Sequence, residues 1–350
     1  MEKSQFLQLM RFVAAGLVLA AHVTFYYHER VDRNVPVWEP GGVGVPIFFV
    51  ISGIVMVVAA RTLPAGLAGA KGFLLRRIVR IVPLWWLALT VKIAIAIAQP
   101  ALVNHNHFQV DYALKSFFFI PYFSGDGAVL PLHGVGWTLL HEMYFYVLFS
   151  LALWLRLKPV IWVSVFIAGM SVFGHFMQID AAWWVIATHP VNMQFVLGMI
   201  LAQALLSPAW MGKRRHLLAA GLALLALAIS LPPMAEEVPF TYPVLLAFAA
   251  ATLWLVNLRV PQSLQWAVRL GDSSYSLYLF HPFIAPALVL LIARLAPQVG
   301  AWSNMIIAFV VTTLLAHLLH LVAEVPIVRL ARRWLVARHP PDRSAPSRAG

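Results

Sequence analysis

The stretch RFVAAGLVLAAH, Arg11 to His22, places an arginine and a histidine at the two ends of ten apolar residues. The apolar run continues beyond both, over roughly residues 6–27, and about 20 such residues cross the ~30 Å of a bilayer's hydrocarbon. An ionisable group in a spanning helix costs ~2.5 kcal/mol or more on insertion scales, which makes it a functional candidate. Eleven residues at 100° each leave Arg11 and His22 only about 20° apart and ~16.5 Å apart along the axis. They share one helix face. Arg11 can also be read as an interfacial anchor whose stem snorkels, and His22 as a packed core histidine.

The rest of the chain has the same character. Of its 350 residues 61% are hydrophobic and 11% charged, against about 25% charged in a soluble domain. The apolar excess falls into segments near 6–27, 42–60, 78–98, 136–155, 159–176, 184–206, 217–232, 240–257, 273–293 and 302–322. The fold expected is therefore all-α: a polytopic transmembrane bundle of about ten spans over 1–335, followed by a polar, Pro-rich, disordered tail over 336–350. The longest stretch outside the spans runs from Gln99 to Gly134.

The formal charge of +12 is distributed as membrane topology requires. With an inside amino terminus, twenty Lys and Arg fall in inside segments and four (Arg30, Arg33, Lys115 and Arg294) outside, with Lys92 in a span. This is the positive-inside asymmetry, and it places both termini in the cytoplasm and argues against nucleic acid as the partner. Cysteine is absent, which removes thiol nucleophiles, disulfides and cysteine-held metals. Lys3, Arg11 and the following apolar run resemble a signal peptide, but no polar cleavage region follows Ala20 and Ala21, so the run is read as a retained span.

Three further stretches are polar where a span should not be. WTLLHEMYFYVLF carries His141 and Glu142, the latter roughly 10 Å below the outer surface. His22 arrives at a similar depth, which suggests an acid–base pair around a polar cavity, or else a structural hydrogen bond between helices. FLLRRIVRIVP opens the third predicted span and puts Arg77 and Arg80 on one flank. Such a fork suits phosphates, or serves as an ordinary cytoplasmic anchor. GDSSYSLYLFHPFI opens the ninth span with hydroxyls and sets His281 about 13 Å inside it. Ser52, Trp137, His141, Tyr275 and His281 are the candidate cavity or acceptor residues.

Taken in order, these stretches resemble the acyltransferase-3 family of integral membrane O-acyltransferases. The resemblance rests on Arg11 and His22 with ten residues between them, FFVISG at Phe48–Gly53, Arg77 and Arg80 before Pro83, WTLLHEMYFY at Trp137–Tyr146, and SYSLYLFH at Ser274–His281. The variants QLMRFVAAGLVLAAH and GVPIFFVISGIVM are similar to the standalone exopolysaccharide acetyltransferases. Where family members often have an acidic residue this chain has Pro46, so no role is carried to that position, and none is carried to His141. The resemblance implies His22 as the catalytic histidine and Arg11, Arg77 and Arg80 as donor-handling residues. It implies acetyl-CoA as co-substrate with no bound cofactor or metal, a glycan or lipid-linked glycan hydroxyl as acceptor, and the bacterial cytoplasmic membrane as the location. Chemically, His22 would unmask the alcohol and Glu142 would orient its imidazole as a triad acid does. A glycan transporter or flippase would also need buried His, Glu and Arg, and a purely structural subunit is the third reading.

Overall fold

The computed structural model describes residues 4–99, 109–208, 212–230, 239–257 and 259–338. Among these there is helix and no strand. The helices are α1 (Gln5–Arg30), α2 (Gly44–Ala60), α3 (Leu67–Ala98), α4 (Val110–Phe117), α5 (Trp137–Trp154), α6 (Pro159–Phe176), α7 (Ala182–Thr188), α8 (Met193–Leu206), α9 (Lys213–Ile229), α10 (Thr241–Leu255), α11 (Gln265–Asp272), α12 (Ser274–Leu295), α13 (Ala301–Leu319) and α14 (Val325–Arg338). A π-helical turn, His320–Glu324, joins the last two.

Helix occupies each of the ten apolar segments, but six helices are long and apolar enough to cross a membrane, or seven if the bent pair α7 and α8 is one span. The others differ for local reasons. α5 carries His141 and Glu142, which lower its hydropathy. α9 opens on Lys213, Arg214 and Arg215, and α10 has only 15 residues. Three boundaries also move. α3 begins at Leu67, so Arg77 and Arg80 sit inside a helix rather than at its opening. The stretch from Gln99 to Gly134 includes the short helix α4, which α3 holds through Trp85 and Trp86 Nε1 donating to the Ser116 and Phe117 carbonyls at 2.9 Å. Helix continues through Arg338, into the first residues of the segment expected as a disordered tail; residues 339–350 lie outside the described ones.

Polarity is distributed as in a membrane bundle. Large apolar side chains such as Ile161, Trp162, Phe166, Leu217 and Leu224 face outward, while Ser274, Ser276, His281, Thr252, Asn192 and Glu324 are buried. With lipid outside there is no hydrophobic drive between helices, so close packing must hold them. Gly53 shows how. A Cβ there would lie 2.3 Å from the Phe195 carbonyl oxygen, and one on Gly198 would lie 2.1 Å from that of Val50. Two glycines thus let α2 and α8 meet backbone to backbone, and Gly53 of the FFVISG stretch is a packing residue. α1 is central, with α2, α11, α12 and α13 around it, while α3 packs on α5.

Candidate active site

A cavity of about 140 Å³ opens between α1, α2, α3, α5 and α12. Its polar lining comes from Gln8 and Arg11, Ser52, Arg77 and Arg80, Thr138, Glu142 and Tyr146, and Ser274, Tyr275 and Tyr278. Six of the residues singled out in the sequence are therefore in one place: all three arginines, Ser52, Glu142 and Tyr275. α1 brings Arg11 to the cavity about one turn after Gln8, on the face that Arg11 shares with His22. α3 brings two arginines because they are three apart, close to one helix turn.

Arg11, Arg77 and Glu142 each have a partner or a cover. Arg11 Nη1 donates to Gln8 Oε1 at 3.4 Å, and its charged neighbours are Arg80, Glu324, Asp272 and Glu142. The Arg77 guanidinium is buried and lies 5.7 Å from the centre of the Phe73 ring. Glu142 accepts hydrogen bonds on Oε1 from Ser52 Oγ at 2.8 Å and from the Tyr146 hydroxyl. Tyr275 donates to the Ile81 carbonyl at 2.9 Å, tying α12 to α3.

His22 stands apart from this cavity, and the acid–base pair expected between it and Glu142 is not formed. The carboxylate turns instead toward Ser52 on α2 and Tyr146 on its own helix. His22 Nδ1 lies 2.9 Å from the Val18 carbonyl. A carbonyl only accepts, so Nδ1 carries the proton and Nε2 is left as a lone pair. The ring's neighbours are Tyr26 at 6.0 Å and His281 at 4.8 Å between centroids. Tyr278 links this pair to the cavity, because it lines the cavity and its ring is 6.1 Å from His281.

Two candidates lie elsewhere. His141 is buried with Nδ1 donating to Asn192 Oδ1 at 3.0 Å, while Asn192 Nδ2 donates to the Ile186 and Ala187 carbonyls. It therefore braces the break between α7 and α8, with Trp137 against its ring at 5.7 Å. Neither lines the cavity. Tyr146, Tyr278 and Glu324 were missed. Glu324 accepts from Ser276 Oγ at 2.6 Å and pairs with His320 Nδ1 at 2.8 Å. It sits two residues past the last apolar segment, where an acid draws no attention. Tyr146 could have been found from its i, i+4 spacing to Glu142. Beyond the spans, His133 is buried between the rings of Trp85 and Phe283, with Nε2 donating to the Leu279 carbonyl at 2.9 Å. Burial pushes its pKa down to about 4.

The acyltransferase domain model of the acyltransferase-3 family matches residues 4–321, nearly the whole described bundle. The chain belongs to this family. It is 33% identical over 319 residues to the exopolysaccharide production protein ExoZ of Rhizobium meliloti (strain 1021), covering 88% of this chain and 95% of that protein. It is 26% identical over 372 residues to the acyltransferase MdmB of Streptomyces mycarofaciens, covering 95% and 93%. No solved structure matches it. The chain is thus a multi-pass membrane acyltransferase.

Proposed function

We propose that this acyltransferase moves a short acyl group, acetyl in the first instance, from cytoplasmic acyl-CoA to a hydroxyl of an exported exopolysaccharide or its lipid-linked precursor. The single observation that carries the reading is that three arginines on two helices converge in one cavity, on the same face of α1 as a histidine with an uncommitted Nε2. The likeness to ExoZ supports the glycan acceptor. The twenty-to-four charge bias supports ten spans with both termini in the cytoplasm of a bacterial inner membrane.

In this reading the guanidinium groups of Arg11, Arg77 and Arg80 grip the CoA phosphates, for which planar forks are suited. At about 140 Å³ the cavity takes the slender pantetheine arm while the nucleotide stays at its mouth. The ~16.5 Å from Arg11 to His22 is comparable to that arm, which brings the thioester toward the histidine. His22 Nε2 takes the acceptor proton as the hydroxyl oxygen attacks the acyl carbon. The carbon–sulfur bond then breaks, and the thiolate recovers a proton as CoA. No metal or resident cofactor enters these steps.

Purified protein in lipid nanodiscs, supplied with labelled acetyl-CoA and de-O-acetylated exopolysaccharide, should release CoA and label the glycan in an alkali-labile form. His22→Ala should lose this by ~10²–10⁴-fold with an unchanged melting temperature. Glycan movement without thioester consumption would replace the reading with a transporter.

A further inference from the structure

A histidine that becomes an imidazolium inside a membrane needs something to stabilise the charge. The carboxylate expected for that task is held by Ser52 and Tyr146, and among the described residues no carboxylate hydrogen-bonds to His22. What faces His22 is a second histidine. His281 is 1% exposed, its ring is T-shaped to that of His22 with centroids 4.8 Å apart, and its Nε2 is buried without a hydrogen-bond partner.

The local sequence explains why that nitrogen is free. His281 Nδ1 is 3.1 Å from the Leu277 carbonyl. Pro282, the next residue in α12, has no N–H to give to the Tyr278 carbonyl four residues back, and that carbonyl also faces the His281 ring. Two carbonyl acceptors on one side fix the proton on Nδ1. The Nε2 lone pair is left on the other. His22 has the same arrangement, through Val18. Two imidazoles of the same tautomer therefore meet, each with a lone pair on Nε2.

We propose that His281 is a positioning residue for acyl transfer, the neutral partner that stabilises the His22 imidazolium and shares its proton. The proposal rests on the acyl-CoA reading above. The acceptor O–H bond breaks as the oxygen–acyl bond forms, and the proton goes to His22 Nε2. The His281 ring, 4.8 Å away with its Nε2 unpartnered, is the neighbour available to the resulting cation. When the carbon–sulfur bond breaks, the proton leaves for the thiolate, and the pair returns to neutral. Two positive charges this close in a low-dielectric setting repel strongly, so the pair holds one proton at most.

Among the described residues no carboxylate is hydrogen-bonded to either ring, and Glu29 acts on Tyr26 rather than on the pair. Tyr26 on α1 and Tyr278 on α12 flank the pair, and His133 from the loop before α5 is the other titratable neighbour of His281. Lys92 on α3 acts on His133, and Arg30 covers Tyr26. α13 contributes apolar side chains here, Met305, Ala308 and Phe309.

The test compares His281→Phe, which keeps the ring without the lone pair, with His281→Gln, whose Oε1 restores an acceptor. CoA release is followed against pH, with melting temperature as the folding control. His281→Phe should lower kcat by at least ten-fold at unchanged KM for acetyl-CoA. The acid limb of its pH–rate profile should move to lower pH, because an imidazolium less well stabilised loses its proton more easily. His281→Gln should recover part of both. A well-folded His281→Phe with wild-type kcat and acid limb overturns the proposal, as does a loss of rate with an unmoved limb and no rescue by Gln. If the unsubstituted protein consumes no acyl-CoA, the donor reading falls and takes this proposal with it. If it turns over and only His22→Ala is dead, the donor reading stands and this proposal alone fails.

Discussion

Ser52 Oγ donates to Glu142 Oε1 at 2.8 Å, joining α2 to α5 across the arginine cavity. With the Tyr146 hydroxyl on the same oxygen, Glu142 is an acceptor for two hydroxyls and a counter-charge for Arg11. Glu142→Gln keeps the acceptor and should hold kcat within about ten-fold of wild type with little change in melting temperature. Glu142→Leu strands two hydroxyls, each costing ~1–3 kcal/mol, and should melt distinctly earlier. A fall of ~10⁴-fold in Glu142→Gln, the size seen when a triad acid is neutralised, would show that Glu142 acts on His22 after all.

Arg80 lines the cavity and acts electrostatically on Arg11, Tyr146, Tyr275 and Glu324. If it grips a CoA phosphate, Arg80→Ala removes a charge-assisted hydrogen bond of ~1.5–3 kcal/mol. KM for acetyl-CoA should rise about ten- to a hundred-fold with a smaller change in kcat. Added salt should raise KM less steeply than in the unsubstituted protein, since one fewer charge remains to be screened. An unchanged KM would make Arg80 a membrane anchor only.

What could be read from sequence was local. Arg11 with His22, and Arg77 with Arg80, share helix faces by periodicity alone, and the cavity gathers the three arginines. Counting residues along each span puts His22 and Glu142 at one level. The azimuth of α5 about its axis could not be counted, because it depends on which neighbours pack there. Ser52 and Tyr146 capture the carboxylate, and His141 turns to the α7–α8 break instead. His281 was visible as a polar residue, but not as the neighbour of His22. Glu324 was overlooked because the last apolar segment ends before it, whereas the π-helical turn carries the helix on past it and buries its side chain.

Glu324 should matter to both stability and donor handling. Its Oε2 serves Ser276 at 2.6 Å and His320 at 2.8 Å, and its charge acts on Arg11. Glu324→Ala leaves those groups unsatisfied and removes a counter-charge from Arg11 and Arg80. A lowered melting temperature together with a changed KM for acetyl-CoA is expected. Ser276→Ala removes one bond and should cost only ~0.5–1.5 kcal/mol. Equal effects from the two substitutions would mean that the charge of Glu324 contributes nothing.

His133 provides a pH test outside the spans. Its folded pKa is about 4, lowered by burial, against ~6.5 for a free histidine. Between those values the unfolded chain binds a proton that the folded chain does not, so stability falls as pH drops. Above ~6.5 both forms are neutral and this residue makes no contribution to the slope. The melting temperature in detergent should therefore fall from pH 6.5 toward pH 4 partly on account of His133. His133→Phe keeps an aromatic ring between Trp85 and Phe283 and cannot be protonated. Its melting temperature should be lower at pH 7, where the bond to Leu279 is lost, and should fall less steeply toward pH 4. Parallel melting curves for the two proteins across that window would show that His133 is protonated equally easily in the folded and unfolded chains.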